Sequence, residues 1–430
     1  MENLADGLRG RVKERVNRVL QLPKTIESQN AWHLYGDIAW YGILSGIVQS
    51  FLSVFVIRLG GSDTHVGLLT ALPALVAIFL SIPGSRLVER EGKPLSVLLI
   101  SGTLNRAGYL AIALLPAILV ARSADGVVVM VALLSIPAAV ANVAFTTMFG
   151  QAVKPEHRAR VVSIRSVWIG ITSTLIALAG GKFLDLVLFP INYQVLFACA
   201  FAASMVSIYH LSRIRSPEAG RTKPVLTAQM PRGVRTFIGM LRSSEGFTRF
   251  ALTSFLFQWG MFFTTPLYSI YWVRNLNASD GWVGVINMVG SATTIIFYPL
   301  WGRLTARRGN RLVMVLTTAG MVVYPFALAL APSVEWAVVV SFWGGVVSSG
   351  QALSFFNGFL EVCPELNRSS YIGAYNTLVS FAAFASPILS TSLTEVYGIQ
   401  AMLFAGAGIR LLGSFLIWRS GARVDAPPAA

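Results

Sequence analysis

The chain has 430 residues, of which 54% are hydrophobic and only 12% are charged, and its mean hydropathy is +0.64. Soluble domains contain about 25% charged residues, so this composition excludes an ordinary soluble protein and predicts a polytopic α-helical membrane protein. The net charge of +15 comes from basic residues distributed among many loops, which indicates membrane topology rather than binding of nucleic acid.

The first 30 residues are predicted to form a cytoplasmic amphipathic segment. Apolar residues from Leu4 to Leu20 recur at helical spacing with arginine and lysine between them. This pattern is typical of a helix that lies on an anionic membrane surface, and a disordered basic tail is the alternative. We recognise no secretory signal, because no small-residue cleavage site follows a short apolar core.

Twelve apolar runs follow, each long enough to cross a bilayer. Their predicted limits are about 33–58, 65–88, 95–120, 127–150, 160–188, 191–212, 247–274, 281–304, 311–331, 335–360, 370–394 and 398–418. One polar, basic stretch separates the first six runs from the last six. The predicted organisation is therefore a segment at 1–30, a bundle at 31–212, a cytoplasmic linker at 213–246, a second bundle at 247–419 and a tail at 420–430.

Lysine and arginine set the predicted orientation of these helices. With both termini in the cytoplasm, 27 of the 34 basic residues lie at the inner ends of the helices or in inner segments, four lie at the outer ends and three lie within the membrane. This asymmetry predicts a multi-pass protein of the plasma or inner membrane.

Two of the inner loops, 217 positions apart, carry the same pattern of glycines and basic residues. The first loop contains Ser85, Glu89, Arg90 and Gly92, and the second contains Gly302, Arg307 and Gly309. The pattern G-x-x-x-(D/E)-R-x-G-(K/R) resembles the signature of the major facilitator superfamily between helices two and three, which is echoed between helices eight and nine. Two positions depart from the signature, because Ser85 replaces the first glycine and Ala306 replaces the acidic residue of the second copy.

The resemblance implies an all-α integral membrane protein with twelve transmembrane helices in two pseudo-symmetric six-helix bundles. It further implies that helices 1, 4, 7 and 10 line a central cavity and that helices 2, 5, 8 and 11 form the seam between the bundles. In the superfamily the two signature loops link the bundles at the inner face when the cavity opens outward. The acid of that link would be Glu89.

Polar side chains near the middle of the four cavity helices are the predicted solute contacts, since a site of this type lies near the bilayer midplane. An amide among aromatic rings suits a small organic molecule better than a bare ion. The alternative for each residue is a structural bond between helices. The predicted contacts are Gln49, Asn142, Gln258, Trp259, Ser348 and Gln351.

Ionisable residues within a membrane are costly and therefore functional candidates. Asp37 and Arg165 each lie about one turn inside the inner membrane face, so we expect them to form a structural or gating ion pair. Arg106 and Arg410 lie deeper, on predicted support helices, and a structural role is favoured for both. Three intramembrane arginines against one aspartate favour an anionic or zwitterionic solute over a cation.

A proton-coupled drug efflux antiporter is one alternative function. Drug antiporters of the superfamily carry a Gly-Pro and a Gly-Gly pair on helix 5, and this chain keeps only Gly180 and Gly181, with Ile176-Ala177 in place of Gly-Pro. Pro387 occupies the repeat-related position of Ala177 on helix 11. Asp37 is the one carboxylate near the path that could couple transport to protons.

The leading interpretation is a secondary active or facilitative transporter that moves a small organic, amphipathic or anionic solute by alternating access. We expect no enzymatic activity, no cofactor and no metal site, since no P-loop, catalytic triad or metal-ligand spacing is present. The expected partners are a small-molecule solute, the lipid bilayer and, as a candidate coupling ion, protons, with the protein acting as a monomer. A non-transporting assembly factor or receptor with the same fold is the rival interpretation.

Overall fold

The computed structural model describes residues 25–215, 245–363 and 368–420, and these residues form twelve long α-helices with no β-strand among them. The helices are α1 (Ile26–Arg58), α2 (Asp63–Glu91), α3 (Pro94–Ile118), α4 (Ser123–Ala152), α5 (Pro155–Leu186), α6 (Ile191–Ser212), α7 (Glu245–Ile270), α8 (Asp280–Arg308), α9 (Asn310–Ala329), α10 (Val334–Val362), α11 (Arg368–Tyr397) and α12 (Ile399–Ser420). A short 3₁₀ turn, Val120–Arg122, precedes α4, and a π-helical turn, Tyr271–Asn275, extends α7.

Eleven of these twelve described helices are long and apolar enough to cross a membrane. The exception is α7, whose apolar residues are interrupted by threonine, serine, glutamine and proline. This helix packs against α11 and α12 inside the second group of helices, where polar side chains can bond to neighbouring helices instead of facing lipid. The all-helical membrane class predicted from composition is confirmed.

The first helix begins earlier than its apolar run. Thr25 caps α1 and exchanges hydrogen bonds with Ser28 in a capping box, so the helix starts at Ile26 rather than near residue 33. Asn30 bonds to the backbone of Ala152 and Arg215, which anchors this polar first turn to its own bundle. The predicted boundary between residues 30 and 31 therefore falls inside a helix. The rest of the amphipathic segment, residues 1–24, lies outside the described residues, as do 216–244 of the linker and 421–430 of the tail.

The helices pack as two groups of six, α1–α6 and α7–α12. In the first group α1 packs against α5 and α6, while α3 packs against α4 and α6; in the second, α12 packs against α7 and α9, and α10 against α8 and α9. Extensive packing between the groups occurs along two seams, α5 with α8 and α2 with α11. These are the four seam helices that the superfamily resemblance implies.

The two ends of the bundle differ in how the core is shared. We call the end that carries Ile26, Ser212 and Glu245 the connector face, and the end that carries Arg58 and Asp280 the opposite face. Near the opposite face a single apolar cluster contains buried residues of both groups, for example Phe55 and Leu267. Toward the connector face the described core separates into one cluster within α1–α6 and its adjoining turns and two clusters within α7–α12. Buried apolar packing therefore joins the groups at the opposite face, and none of the described core clusters joins them toward the connector face.

Candidate functional site: a cavity beside the seam

A cavity of about 400 Å³ lies at mid-depth, where α5 meets the second group of helices. Its volume falls at the lower end of the range typical of small-molecule sites. The lining residues come from α5, α7 with its π-helical turn, α8, α9, α10 and α12: Gly170, Ser173, Met261, Tyr268, Trp272, Asn287, Gly290, Ser291, Thr294, Ile295, Met321, Tyr324, Ser341, Gly344, Gly345, Ser348 and Arg410. One side is thus aromatic and another carries hydroxyl and amide groups.

Arg410 brings a positive charge to this cavity from the middle of α12. Its side chain is buried and donates hydrogen bonds to the carbonyl oxygens of Gly260, 3.3 Å from Nε, and Met321, 2.9 Å from Nη1. The Nη2 nitrogen donates to Thr264 Oγ1 and to the hydroxyl of Tyr268, 2.6 Å away. All these acceptors are neutral. The sequence favoured a structural role for Arg410 on a support helix, and the structure adds that it lines the cavity.

The aromatic side of the cavity is built from three rings. Tyr268 packs against Tyr324 with ring centroids 4.7 Å apart and stacks on Trp272 at 6.4 Å. Trp272 belongs to the π-helical turn that ends α7, and such turns are frequent at functional sites. Its indole Nε1 is buried and has no hydrogen-bond acceptor among the described residues. A buried donor without a partner is costly, and this one belongs to a residue that lines the cavity.

The polar side of the cavity is one stripe of α8. Asn287, Ser291 and Thr294 recur at spacings of four and three and therefore share one face of the helix. Thr294 Oγ1 lies 3.2 Å from the hydroxyl of Ser348 on α10, which links the stripe to the neighbouring helix. The spacing is visible in the sequence, although the superfamily resemblance predicts that α8 lies in the seam. A seam helix can present one face to its partner helix and another to a cavity.

At the opposite face two ion pairs join the groups of helices reciprocally. Arg58 at the end of α1 binds Asp280 at the start of α8, with Nε and Nη2 both 3.3 Å from Oδ1. Arg274, after α7, binds Asp63 at the start of α2. Each arginine also donates to a backbone carbonyl of the other group, Arg58 to Ala278 at 2.8 Å and Arg274 to Gly61 at 2.5 Å. We call these four side chains the clasp.

Glycines let the seams close beside the clasp. A Cβ atom added at Gly181 of α5 would lie 2.7 Å from the carbonyl oxygen of Asp280, and one at Gly284 would collide with the carbonyl oxygen of Ala177. On the other seam, a Cβ atom at Gly67 would lie 3.0 Å from the carbonyl oxygen of Pro387. Real Cβ atoms do not approach backbone as closely as those at Gly181 and Gly284 would, and the contact at Gly67 would be unusually tight, so glycine lets the helix backbones approach at these positions.

The sequence comparison matches this architecture to a known family. The model of the Major Facilitator Superfamily matches residues 38–270 and 250–430, almost the whole chain. The chain belongs to the major facilitator superfamily.

Individual relatives match over shorter stretches. The Staphyloferrin B transporter of Staphylococcus aureus is 24% identical over 169 residues, which are 37% of this chain and 39% of that protein. Multidrug resistance protein MdtG of Dickeya zeae is 24% identical over 160 residues, 34% of this chain and 39% of that protein. The matched part thus spans about two fifths of these curated relatives. The nucleoside transporter NupG superposes with a TM-score of 0.68 at 13% identity, covering 92% of this chain and 99% of that structure, which shows a shared fold.

The superfamily signature loops lie at the connector face, and their glycines have a backbone reason. Gly92 ends α2 with a φ of +64°, and Gly309 ends α8 with a φ of +85°. Both are values that residues with a side chain rarely adopt. Ser85 is buried, while Glu89, Arg90 and Arg307 are exposed, and Gly302 is half-buried. The proposed inner link through Glu89 stays a prediction.

Asp37 and Arg165 form the ion pair that their equal depth in the membrane predicts. Asp37 is buried, with Oδ2 3.0 Å from Nη1 of Arg165, which also donates to the carbonyl oxygen of Leu34 at 2.6 Å. Asp37 Oδ1 accepts a 2.5 Å bond from the Ser207 hydroxyl and lies 3.9 Å from Nη2 of Arg106. The group carries two cations for one carboxylate. Its role in gating stays a prediction.

Of the six predicted solute contacts, Ser348 lines the described cavity and the other five do not. Gln49 and Asn142 are exposed elsewhere on the first group, and Gln49 donates to Ser45 Oγ at 2.7 Å. Trp259 packs against Phe381 with centroids 6.2 Å apart. Gln258 and Gln351 are half-buried. Of the four expected cavity helices, α7 and α10 line the described cavity and α1 and α4 do not; α5, α8, α9 and α12 supply the other lining residues.

Proposed function

We propose that this protein is a transporter that carries a small organic solute across the membrane by alternating access. The observation that carries the proposal is the divided core: one apolar cluster joins the groups at the opposite face, and separate clusters hold each group toward the connector face. Two rigid groups hinged at one end around a mid-depth cavity form the geometry that rocking between two open states requires. The transporters among its relatives support the same activity.

The basic residues orient this geometry. Most arginines and lysines flank the connector face, so this face is assigned to the cytoplasm together with both termini, and the protein to the plasma or inner membrane. The described state then opens inward, with the clasp closed outside. In the outward-open state the loops around Gly92 and Gly309 would approach, and Glu89 would make the inner link between the groups. The protein acts as a monomer and has no enzymatic role.

Reconstitution of the full chain in liposomes tests transport. The vesicles are assayed for counterflow with radiolabelled solutes of four classes: sugars, nucleosides, organic acids and cationic dyes. We expect saturable exchange of one class. A scaffold or receptor would move none of them, and that result would reject the proposal. Uptake with and without an imposed pH gradient then decides whether protons are coupled, and transport of cationic dyes alone would identify a drug antiporter.

Spin-label distances test alternating access separately. Leu188 and Val396 are exposed at the opposite face on different groups, and Arg90 and Arg307 are exposed at the connector face. Labels at each pair, in a background without Cys199 and Cys363, should each show two distances whose populations change in opposite directions when solute is added. A single distance at both faces under all conditions would contradict the mechanism. Modification of labels at Gly92 and Gly309 from the same side of the membrane checks the orientation.

A further inference from the structure

We propose that the cavity beside the α5–α8 seam selects an organic anion with a flat aromatic body, whose acidic group is held by the positive field of Arg410 and by the Trp272 indole N–H. This inference rests on the proposed transport function and names the chemical class of its solute.

Arg410 carries its positive charge inside the membrane without an acidic partner among the described residues. A guanidinium in a membrane interior is expensive and is normally paired with an acid or bonded to backbone carbonyls. In the described residues no carboxylate lies within 4.0 Å of Arg410, and its acceptors are backbone carbonyls, the Thr264 hydroxyl and the Tyr268 hydroxyl. Neutral dipoles orient the guanidinium but leave its net charge in place. Arg165 is the contrasting case, since Asp37 pairs with it directly.

The charge of Arg410 acts on a solute in the cavity through the wall near Tyr268. Arg410 adjoins the cavity but is only about 1% exposed, and it donates to the hydroxyl of Tyr268, which also lines the cavity. The Tyr268 oxygen accepts a hydrogen bond from Arg410 and lies 2.8 Å from Thr264 Oγ1, so the Tyr268 proton can be donated either to Thr264 or to an acceptor in the cavity. Because the site has a low dielectric constant, the charge of Arg410 is poorly screened from a solute in the adjoining cavity. The wall near Tyr268 therefore attracts anionic oxygens and repels ammonium groups.

The indole N–H of Trp272 is a hydrogen-bond donor without a partner among the described residues. Trp272 is buried, lines the same cavity and stacks beside Tyr268, and its Nε1 has no acceptor in the described chain. A hydrogen-bond acceptor of the solute would satisfy it. Arg410, which donates to Tyr268, and Trp272, which stacks on Tyr268, thus both adjoin the aromatic side of the cavity.

The rings and the volume of the cavity indicate the shape and size of the solute. Tyr268, Trp272 and Tyr324 provide ring surfaces, and aromatic walls favour a planar apolar body. A volume of about 400 Å³ limits the solute to a small molecule. Across the cavity, Asn287 and the hydroxyls of Ser291 and Thr294 supply polar contacts that fix its orientation. The class that fits is a small aromatic carboxylate.

Matched ligands test the charge preference on the purified full chain. Benzoate and indole-3-acetate are each compared with their amide, which keeps the ring and the size but removes the charge, and benzylamine supplies a cation. Thermal stability is measured against ligand concentration, since a ligand that binds the folded state raises the melting temperature. We expect at least one carboxylate to bind about tenfold more tightly than its amide. If amides bind as well as the acids, or neither acid binds, the inference is overturned.

Variants connect the preference to this cavity. Trp272→Phe removes a donor without a protein partner, so it should fold normally and weaken carboxylate binding several-fold more than amide binding. Arg410→Gln should abolish the difference between acid and amide, and Arg410→Lys should keep part of it. Arg419→Gln on the same helix, exposed in its last turn, is the matched control and should bind as wild type. Unchanged carboxylate binding by Trp272→Phe overturns the inference even if the Arg410 variants fail to fold.

The liposome assay separates the two proposals. Transport of sugars or nucleosides, with no preference for acids, would support the transport function and reject the anion site. Carboxylate binding that depends on Trp272, without flux of any solute, would support the anion site and reject transport.

Discussion

Arg58 of α1 and Asp280 of α8 form one arm of a clasp whose other arm, Arg274 with Asp63, repeats it from the opposite direction. Asp63 and Asp280 are separated by 217 positions, the same interval that relates the two signature loops. The two aspartates therefore occupy repeat-related positions, the two arginines are 216 positions apart, and each group supplies one arginine and one aspartate.

Loss of the clasp should open the opposite face. The arginine side chains are 35% and 41% exposed, so each ion pair contributes about 1 kcal/mol or less, while the partner aspartates are about 10% exposed and would be left unpaired. Arg58→Gln together with Arg274→Gln should shift the label distances between Leu188 and Val396 to longer values. A variant with the charges of one arm exchanged, Arg58→Asp with Asp280→Arg, should populate the short distance between these labels more than the double glutamine variant does. No change in the double glutamine variant would show that the clasp does not hold this face.

The seam glycines should be more sensitive than other helical glycines. Gly284→Ala places a methyl group against the carbonyl oxygen of Ala177, and overpacking of this kind costs about 1–3 kcal/mol. We expect it to disfavour the closed opposite face by about tenfold or more, measured with the same labels. Gly408→Ala on α12 is the control, because a Cβ atom there meets nothing within 4 Å and alanine favours the helix. Equal populations of the closed opposite face in the two variants would contradict the close contact between Gly284 and Ala177.

Neutralising Asp37 should destabilise the first group of helices. Asp37→Asn leaves Arg165 and Arg106 buried without a negative partner, and breaking a buried pair costs about 3–5 kcal/mol. The melting temperature should fall by several degrees, and Arg165→Gln introduced with Asp37→Asn should recover part of the loss. Asp125→Asn is the matched control, since that side chain is 60% exposed and pairs with His65. A larger fall in melting temperature for Asp125→Asn than for Asp37→Asn would contradict this prediction.

The two signature glycines should differ in what they tolerate. Gly92 has a left-handed backbone (φ +64°, ψ 2°), which asparagine accepts at modest cost, while Gly309 (φ +85°, ψ 157°) lies in a region that is essentially glycine only. Gly92→Asn should therefore lower stability by less than 1 kcal/mol and Gly309→Asn by about 1–3 kcal/mol. Thermal melts of the two variants compare them directly, and a less stable Gly92→Asn would contradict the backbone assignment.

The α8 stripe should matter for flux rather than for folding. Asn287→Leu keeps side-chain size but removes the amide from the cavity wall, so liposome transport should fall by about tenfold while the melting temperature changes little. Tyr298→Phe, on an exposed part of the same helix, should transport as wild type. Full activity in Asn287→Leu would exclude this stripe from the solute path.

The fold could be predicted from the sequence because bilayer crossing imposes a length and a composition on every span. The repeat of the loops ending at Gly92 and Gly309 supplied the pairing of the halves, and the pairing of Asp37 with Arg165 followed from equal depth. The start of α1 was missed because a polar first turn carries no hydropathy signal, although Thr25 and Ser28 form a capping box.

The candidate site was harder to predict, for a geometric reason. Depth along a helix can be counted in the sequence, but the rotation of that helix about its axis is fixed only by packing. Gln49 and Asn142 were placed by depth, and neither lines the described cavity. Asn287 and Thr294 were overlooked because seam helices were expected to face only each other. Arg410 was recognised as costly, yet only the fold shows which cavity it adjoins.

The core shared between Phe55 and Leu267 has a consequence for how the polypeptide is held together. Since apolar packing, the clasp and backbone contact at the seam glycines all join the halves, the peptide linkage through residues 216–244 is not needed to keep them associated. Two fragments divided within that stretch and co-expressed should recombine in the bilayer and co-purify as a complex.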